Sequence, residues 1–165
     1  MTRAVLNSSA LIALSATGHK NELSNVFDEP LLAKAVYEEI CVKGHGLLGE
    51  AELTEAIKNG TVRVKDATNR VAVNALLDPL GLGEAETIES AVEEKADYVV
   101  LDDRLARRKA KKLGLNVIGT LRFLRMMFDL GLMNREKFVA SLETLVKIGF
   151  RVSSEVIEKA FGAPP

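Results

Sequence analysis

Five short apolar segments of β type are spread along the chain: "AVL" at 4–6, "PLLA" at 30–33, "VRV" at 62–64, "YVVL" at 98–101 and "NVIG" at 116–119. Amphipathic helical stretches fill the gaps, among them "GEAELTEAIKNG" (49–60) and "GEAETIESAVEEKA" (83–96), where Ala85, Ile88 and Val92 fall on one helical face. Strand alternating with helix predicts a parallel sheet of about five strands covered by helices on both faces. After Thr120 the pattern becomes helical only, in "LRFLRMMFDLGLM", "NREKFVASLETLVKIGF" and "SSEVIEKAFG". Asn134 and either Ser153 or Ser154 suit the caps of the last two, with Gly131 and Gly149 as stops.

The chain has 165 residues, 47% of them hydrophobic, which suffices for one domain with a sizeable core. No repeat, low-complexity segment or Pro/Gly-rich linker precedes the terminal "GAPP", so residues 1–165 read as a single α/β domain. Its core runs to about residue 130 and a helical C-terminal extension covers about 131–165. Lys and Arg number 22 against 23 Asp and Glu, so any attraction to nucleic acid has to be local. The longest apolar runs fall far short of the roughly 20 residues that cross a bilayer, and no signal-peptide pattern opens the chain. A cytoplasmic protein without membrane contact is expected. One cysteine, Cys41, and two histidines, His19 and His45, form neither an internal disulfide nor a zinc set. A metal, if bound, needs oxygen ligands.

In an open parallel sheet the binding crevice lies beyond the carboxyl ends of the strands, where the strand order reverses. Asn7, Ser8 and Ser9 follow the first apolar run, and Asp102 and Asp103 follow the fourth. Glu38 and Glu39 in "AVYEEI", and Glu84 and Glu86 in "GLGEAE", stand near helix starts. If those helices begin at the same sheet edge, the carboxylates converge and repel one another, which raises the pKa of at least one. A divalent cation removes that conflict, and hard oxygen ligands with open water positions suit magnesium or manganese. Such a site fits metal-dependent phosphodiester hydrolysis. Each residue also has a purely structural reading. Asn7, Ser8 and Ser9 can cap a helix, as can Asp102 and Asp103, and Glu84 opens its helix favourably. Glu38, Glu39, Glu93 and Glu94 can simply be solvated.

Taken in order, "VLNSSALIAL", "AVYEEI", "LGLGEAETIESA", "ADYVVLDDRLARRKAKKLGLNVIGTLRFL" and "GFRVSSEVI" resemble a PIN domain. They are most similar to its short prokaryotic branch related to the ribonuclease toxins of toxin–antitoxin pairs. The resemblance spans nearly the whole chain and is most specific in "LDDRLARRKAKKLGLNVIGT". It implies a three-layer α/β/α sandwich, four acidic positions around one or two magnesium or manganese ions, and cleavage of single-stranded RNA. A homodimer and an antitoxin protein partner are implied as well. The second family acid falls on Glu39, the third on Glu84 and the fourth on Asp102 or Asp103; the first falls on Asn7, supported by Ser8 and Ser9. Asn keeps a carbonyl oxygen but loses the charge. One unit-charge pair at about 4 Å is worth roughly 4 kcal/mol at an effective dielectric near 20. Even a third of that weakens metal binding about tenfold. Two readings follow, a metal-dependent ribonuclease and a catalytically weakened relative that binds nucleic acid or a protein partner. A phospho-acceptor domain would place a lysine after the fifth strand, where Gly119 and Thr120 stand, and "GLGE" makes a poor dinucleotide fingerprint.

The run "RLARRKAKK" sets Arg104, Arg107, Arg108 and Lys111 at the i, i+3, i+4, i+7 spacing of one helical face, with Ala106, Ala110 and Leu113 on the apolar one. That basic face is either solvated or a track for a phosphate backbone. No strand carries closely spaced aromatics for base stacking. The stripe Phe123, Met126, Met127 and Leu130 suits the core, or a protein contact if exposed.

Overall fold

A computed structural model describes residues 1–19, 22–44, 50–150 and 152. All five expected strands form, as β1 (Arg3–Leu6), β2 (Glu29–Ala33), β3 (Arg63–Lys65), β4 (Tyr98–Val100) and β5 (Val117–Ile118). They make one parallel sheet in the order β3-β2-β1-β4-β5. The helices are α1 (Ser8–Ala16), α2 (Leu23–Val26), α3 (Lys34–Tyr37), α4 (Glu50–Lys58), α5 (Arg70–Leu76), α6 (Leu82–Glu93), α7 (Arg104–Lys112), α8 (Thr120–Asp129) and α9 (Arg135–Lys147). A π-helical turn, Glu38–Val42, continues α3.

The inner strands β1, β2 and β4 are largely apolar on both faces because both faces are covered, whereas the edge strand β3 carries Arg63 and Lys65. Ala4 and Leu6 of β1, with Val100 of β4, pack into one cluster with α1, α8 and α9. Val5, Val99 and Leu101 point the other way and meet Val73 of α5, Ile88 of α6 and Ala106 of α7. Three layers result, in the α/β/α arrangement. In the first cluster Phe27 and Phe123 stack with ring centroids 5.3 Å apart. Phe138, Leu142 and Leu145 of α9 belong to that cluster, so the helical C-terminal part is built into the core at least as far as residue 147. Among the described residues no helix is long and apolar enough to cross a membrane.

Local chemistry sets the ends of these elements. Asn134 caps α9 by accepting from the Lys137 N–H at 2.8 Å, and Gly131 and Gly149 take the positive φ values, 74° and 100°, that end α8 and α9. The expected caps Ser153 and Ser154, and the helix they would open, lie outside the described residues. Three apolar expectations need correction. Val92 is exposed, and the buried face of α6 runs through Ala85, Ile88 and Ala91. Leu113 and Leu130 are exposed because each stands at a helix C-cap, beyond the face that precedes it. Phe123 and Met127 are buried as the core reading of their stripe requires.

Glu93 and Glu94 are not solvated side chains. Glu94 pairs with Arg63 at 2.9 Å, and Glu93 with Lys65 at 2.9 Å. Glu93 also accepts from the backbone N–H groups of Thr68 and Asn69. Arg3 joins the group through Glu29 at 2.6 Å and through the Glu94 carbonyl at 2.7 Å. This ion network knits the starts of β1 and β2 and both ends of β3 to the C-terminal end of α6.

Candidate active site

The strand order reverses between β1 and β4, and the residues just beyond these two strands form the crevice. Asn7 follows β1 and its N–H donates to the Val100 carbonyl of β4 at 3.1 Å, which fixes it at the reversal point. It occupies the cap position of α1 with extended backbone, yet its side chain makes no cap hydrogen bond. Asn7 is only 5% exposed. The capping explanation for this residue therefore fails, although its type and position both suit the role. Ser8 opens α1, half-buried.

Asp102 is held from three sides. Its carboxylate accepts from the Thr120 N–H at 2.9 Å, the Thr120 hydroxyl at 2.6 Å and the Ser9 hydroxyl at 3.1 Å. Gly119, the cap position of α8, has no side chain to offer, so a carboxylate from the neighbouring strand end does the capping. Three of about four lone-pair positions are filled. Asp102 thus ties β4, α1 and α8 together, a role that sequence spacing does not reveal. Asp103 is exposed and caps α7 by accepting from the Ala106 N–H at 2.9 Å.

The other acids arrive from the far side of β1. Glu39 lies in the π-helical turn after α3, and its carboxylate stands where a side chain on Gly83 would be. Glu84, in the first turn of α6, accepts from the Gly81 N–H at 3.2 Å. Burial first, and then the negative charges of Asp103 and Glu39, push the Glu84 carboxyl above its usual range; the Gly81 N–H opposes this. Glu39 and Asp103, 64 residues apart in sequence, therefore both bear electrostatically on Glu84. Among the described residues none of the three forms an ion pair. Glu86 stands apart. It is buried, accepts from the Ala35 N–H at 2.9 Å and pairs with Arg70 at 2.8 Å, so it braces α3 against α6.

Two open basins meet at Arg107, and the first reaches Asp102. Arg104, Arg107, Arg108, Lys111 and Lys112 of α7 line the first together with Asp102, so the expected basic face is a continuous surface. Tyr98, Arg107, Asn116, Gly119, Arg122 and Met126 line the second, between β5 and α8. Arg107 belongs to both, and its Nη1 donates to the Leu101 carbonyl at 2.7 Å.

Carboxylates without a counter-cation are a donor set that suits a hard divalent ion. Among the described residues, however, no three His, Cys, Asp or Glu side chains are grouped closely enough to ligate one ion. The arrangement suits magnesium, which is commonly held by one or two carboxylates with water completing its shell. Two contributors to this crevice were missed by sequence reasoning. Gly83 makes room for Glu39, a purpose visible in "GLGE" only once Glu39 is known to sit against it. Thr120 anchors Asp102, and its one signal was its place directly after the last apolar run.

A three-layer α/β/α domain with acids gathered at its topological switch point is the class that the fold and crevice define. The chain belongs to the PIN-domain family: the family model described as "DUF3368: PIN domain" matches residues 3–163. Among solved structures, a PilT N-terminus domain protein from the hyperthermophilic archaeon Sulfolobus solfataricus P2 is similar at 20% identity and a TM-score of 0.48. That match covers 86% of this chain and 95% of the other. No curated protein matches the chain.

Proposed function

We infer that this protein is a magnesium- or manganese-dependent endoribonuclease that hydrolyses single-stranded RNA at the crevice beyond β1 and β4. The observation that carries this reading is the Glu39 carboxylate seated against Gly83 beside Glu84, whose carboxyl feels the charges of Glu39 and Asp103, with none of the three in an ion pair among the described residues. A folded chain that leaves such repulsion standing has a use for a cation that relieves it. Glu84 and one neighbouring acid, Glu39 or Asp103, are the pair to hold the ion with water completing its shell, and Asn7 offers an amide oxygen to it or to its water. When bound, a divalent ion supplies an activated water and neutralises charge growing on the phosphodiester. Asp102, locked by Ser9 and Thr120, positions the end of β4 and with it Asp103. Arg104, Arg107, Arg108 and Lys111 hold the phosphate backbone beside the acids.

A second reading, RNA or partner binding without cleavage, is favoured by Asn7 in the first acidic position and by the nearly filled carboxylate of Asp102. One experiment separates the two: cleavage of a mixed single-stranded RNA pool with manganese by the native protein, Asn7→Asp and Glu84→Gln. Cleavage by the native protein that disappears in Glu84→Gln supports the ribonuclease. Cleavage by Asn7→Asp alone supports the binding protein, and no cleavage by any of the three removes the enzymatic reading.

A further inference from the structure

α7 and α8 pack on opposite faces of the sheet. Ala106 and Ala110 of α7 join one apolar cluster, while Phe123, Leu124 and Met127 of α8 join the other. Between them stands β5, the last strand of the sheet and only two residues long. The α7 basin lies on one side of this strand and the β5–α8 basin on the other, with Arg107 lining both. Its guanidinium is anchored on the Leu101 carbonyl, and the bare Gly119 leaves space for it, since a Cβ there would lie 3.0 Å from Nη1 and 3.2 Å from Asp102 Oδ1. Arg104, Arg108 and Lys111 are exposed on the α7 side and Arg122 on the α8 side. Among the described residues none of these cations forms an ion pair. Their charges trace a path that bends around the edge of the sheet, with Arg107 at the bend beside the acidic crevice.

We propose that a single-stranded polynucleotide follows this path, its phosphates held by Arg104, Arg108 and Lys111 on one face, by Arg107 at the bend and by Arg122 beyond β5. The ligand is a polyanion because successive unpaired guanidinium and ammonium groups recognise repeated phosphates. It is single-stranded because the bend is completed within about two helix diameters, roughly 20–24 Å. A duplex with a persistence length of about 50 nm does not follow such a turn, whereas a single strand does. Asn116, exposed in the second basin, offers a hydrogen-bonding group to an unpaired base. Arg107 brings the strand past Asp102 at the point where its backbone turns. The placement of this bend at a cleaving centre rests on the ribonuclease reading; binding along the path does not.

The test is fluorescence anisotropy with a labelled 12-nucleotide oligouridylate and a 12-base-pair RNA duplex, both in excess EDTA so that no metal-dependent cleavage intervenes. Arg122→Glu is expected to weaken oligouridylate binding about tenfold and to lower the slope of log affinity against log salt by at least about 0.7, the loss of one phosphate contact. Arg108→Glu should weaken both ligands, since the α7 face alone can meet a duplex, while Arg122→Glu leaves the duplex unaffected. Lys147→Glu, a charge change on α9 away from both basins, should alter neither. The path is overturned if Arg122→Glu binds oligouridylate as Lys147→Glu does, or if it weakens duplex and single strand equally. A native protein that fails to cut RNA with manganese, yet binds oligouridylate in an Arg122-dependent way, loses the ribonuclease reading and keeps the path.

Discussion

The two ends of α6 carry acids in opposite situations. At its C-terminal end Glu93 and Glu94 meet Arg3, Arg63 and Lys65, and at its N-terminal end the charges that act on Glu84 among the described residues are those of Glu39 and Asp103. The helix dipole alone favours the reverse, since acids are stabilised at an N-terminus and destabilised at a C-terminus by about 0.3–1 kcal/mol. Direct partners outweigh it. Although burial opposes the shift, Glu93 is held down to about 2 by the Asn69 and Thr68 N–H groups, the Thr68 hydroxyl and Lys65. Glu94 is also lowered, chiefly by Arg63, while Glu84 is raised by burial and by its neighbouring charges. One helix therefore has an end in which every charge is used for stability and an end in which charge is left unbalanced. The second end is the one beside the switch point of the sheet.

Substitutions at the two ends should separate function from stability. The largest expected effect is Glu84→Gln, which should reduce manganese-dependent RNA cleavage about a hundredfold or more while leaving the circular dichroism spectrum unchanged. Glu93→Ala should do the opposite, costing about 2 kcal/mol of stability in urea unfolding with no effect on metal binding, because it leaves Lys65 and two backbone N–H groups without their acceptor. Next comes Asn7→Asp, expected to tighten manganese binding about tenfold in competition with a fluorescent chelator.

The smallest effect is the pH dependence, and its sign differs between the two ends. Glu93 titrates lower folded than unfolded, so its stabilisation is complete above the ordinary carboxylate range and is lost as pH falls from about 4.5 toward about 2. Glu84 titrates higher folded than unfolded, so it costs stability as pH rises past 4.5 and costs nothing well below it. Glu84→Gln should accordingly raise Tm at pH 7 by about 1 °C, the scale of a like-charge repulsion of a few tenths of a kcal/mol, and leave it unchanged near pH 3.5. An unchanged or lower Tm at pH 7 would break the contrast.

The sheet was legible because buried parallel strands must be apolar on both faces, which leaves short runs such as "YVVL" with few alternatives. The family acids were legible one by one, but the sequence could not say which of them are free. Asp102 and Asp103 read alike, yet one is enclosed by Ser9 and Thr120 and the other faces Glu84. Glu93 and Glu94 read as solvent-facing because their partners, Arg63 and Lys65, lie about thirty residues away on β3. Asn7 was ambiguous for a subtler reason. Its type, position and backbone all fit a helix cap, and only its missing hydrogen bond distinguishes it. The registers and side-chain directions that decide these cases arise from packing between distant segments, which no local pattern encodes.

The central claim is that the N-terminal end of α6 keeps its acids unpaired to hold a divalent cation. Isothermal titration of manganese into the native protein, Glu84→Gln and Glu93→Gln tests it most directly. The account predicts saturable binding to the native protein and to Glu93→Gln, and at least tenfold weaker binding to Glu84→Gln. Equal affinity in all three, or no binding to the native protein, would contradict it.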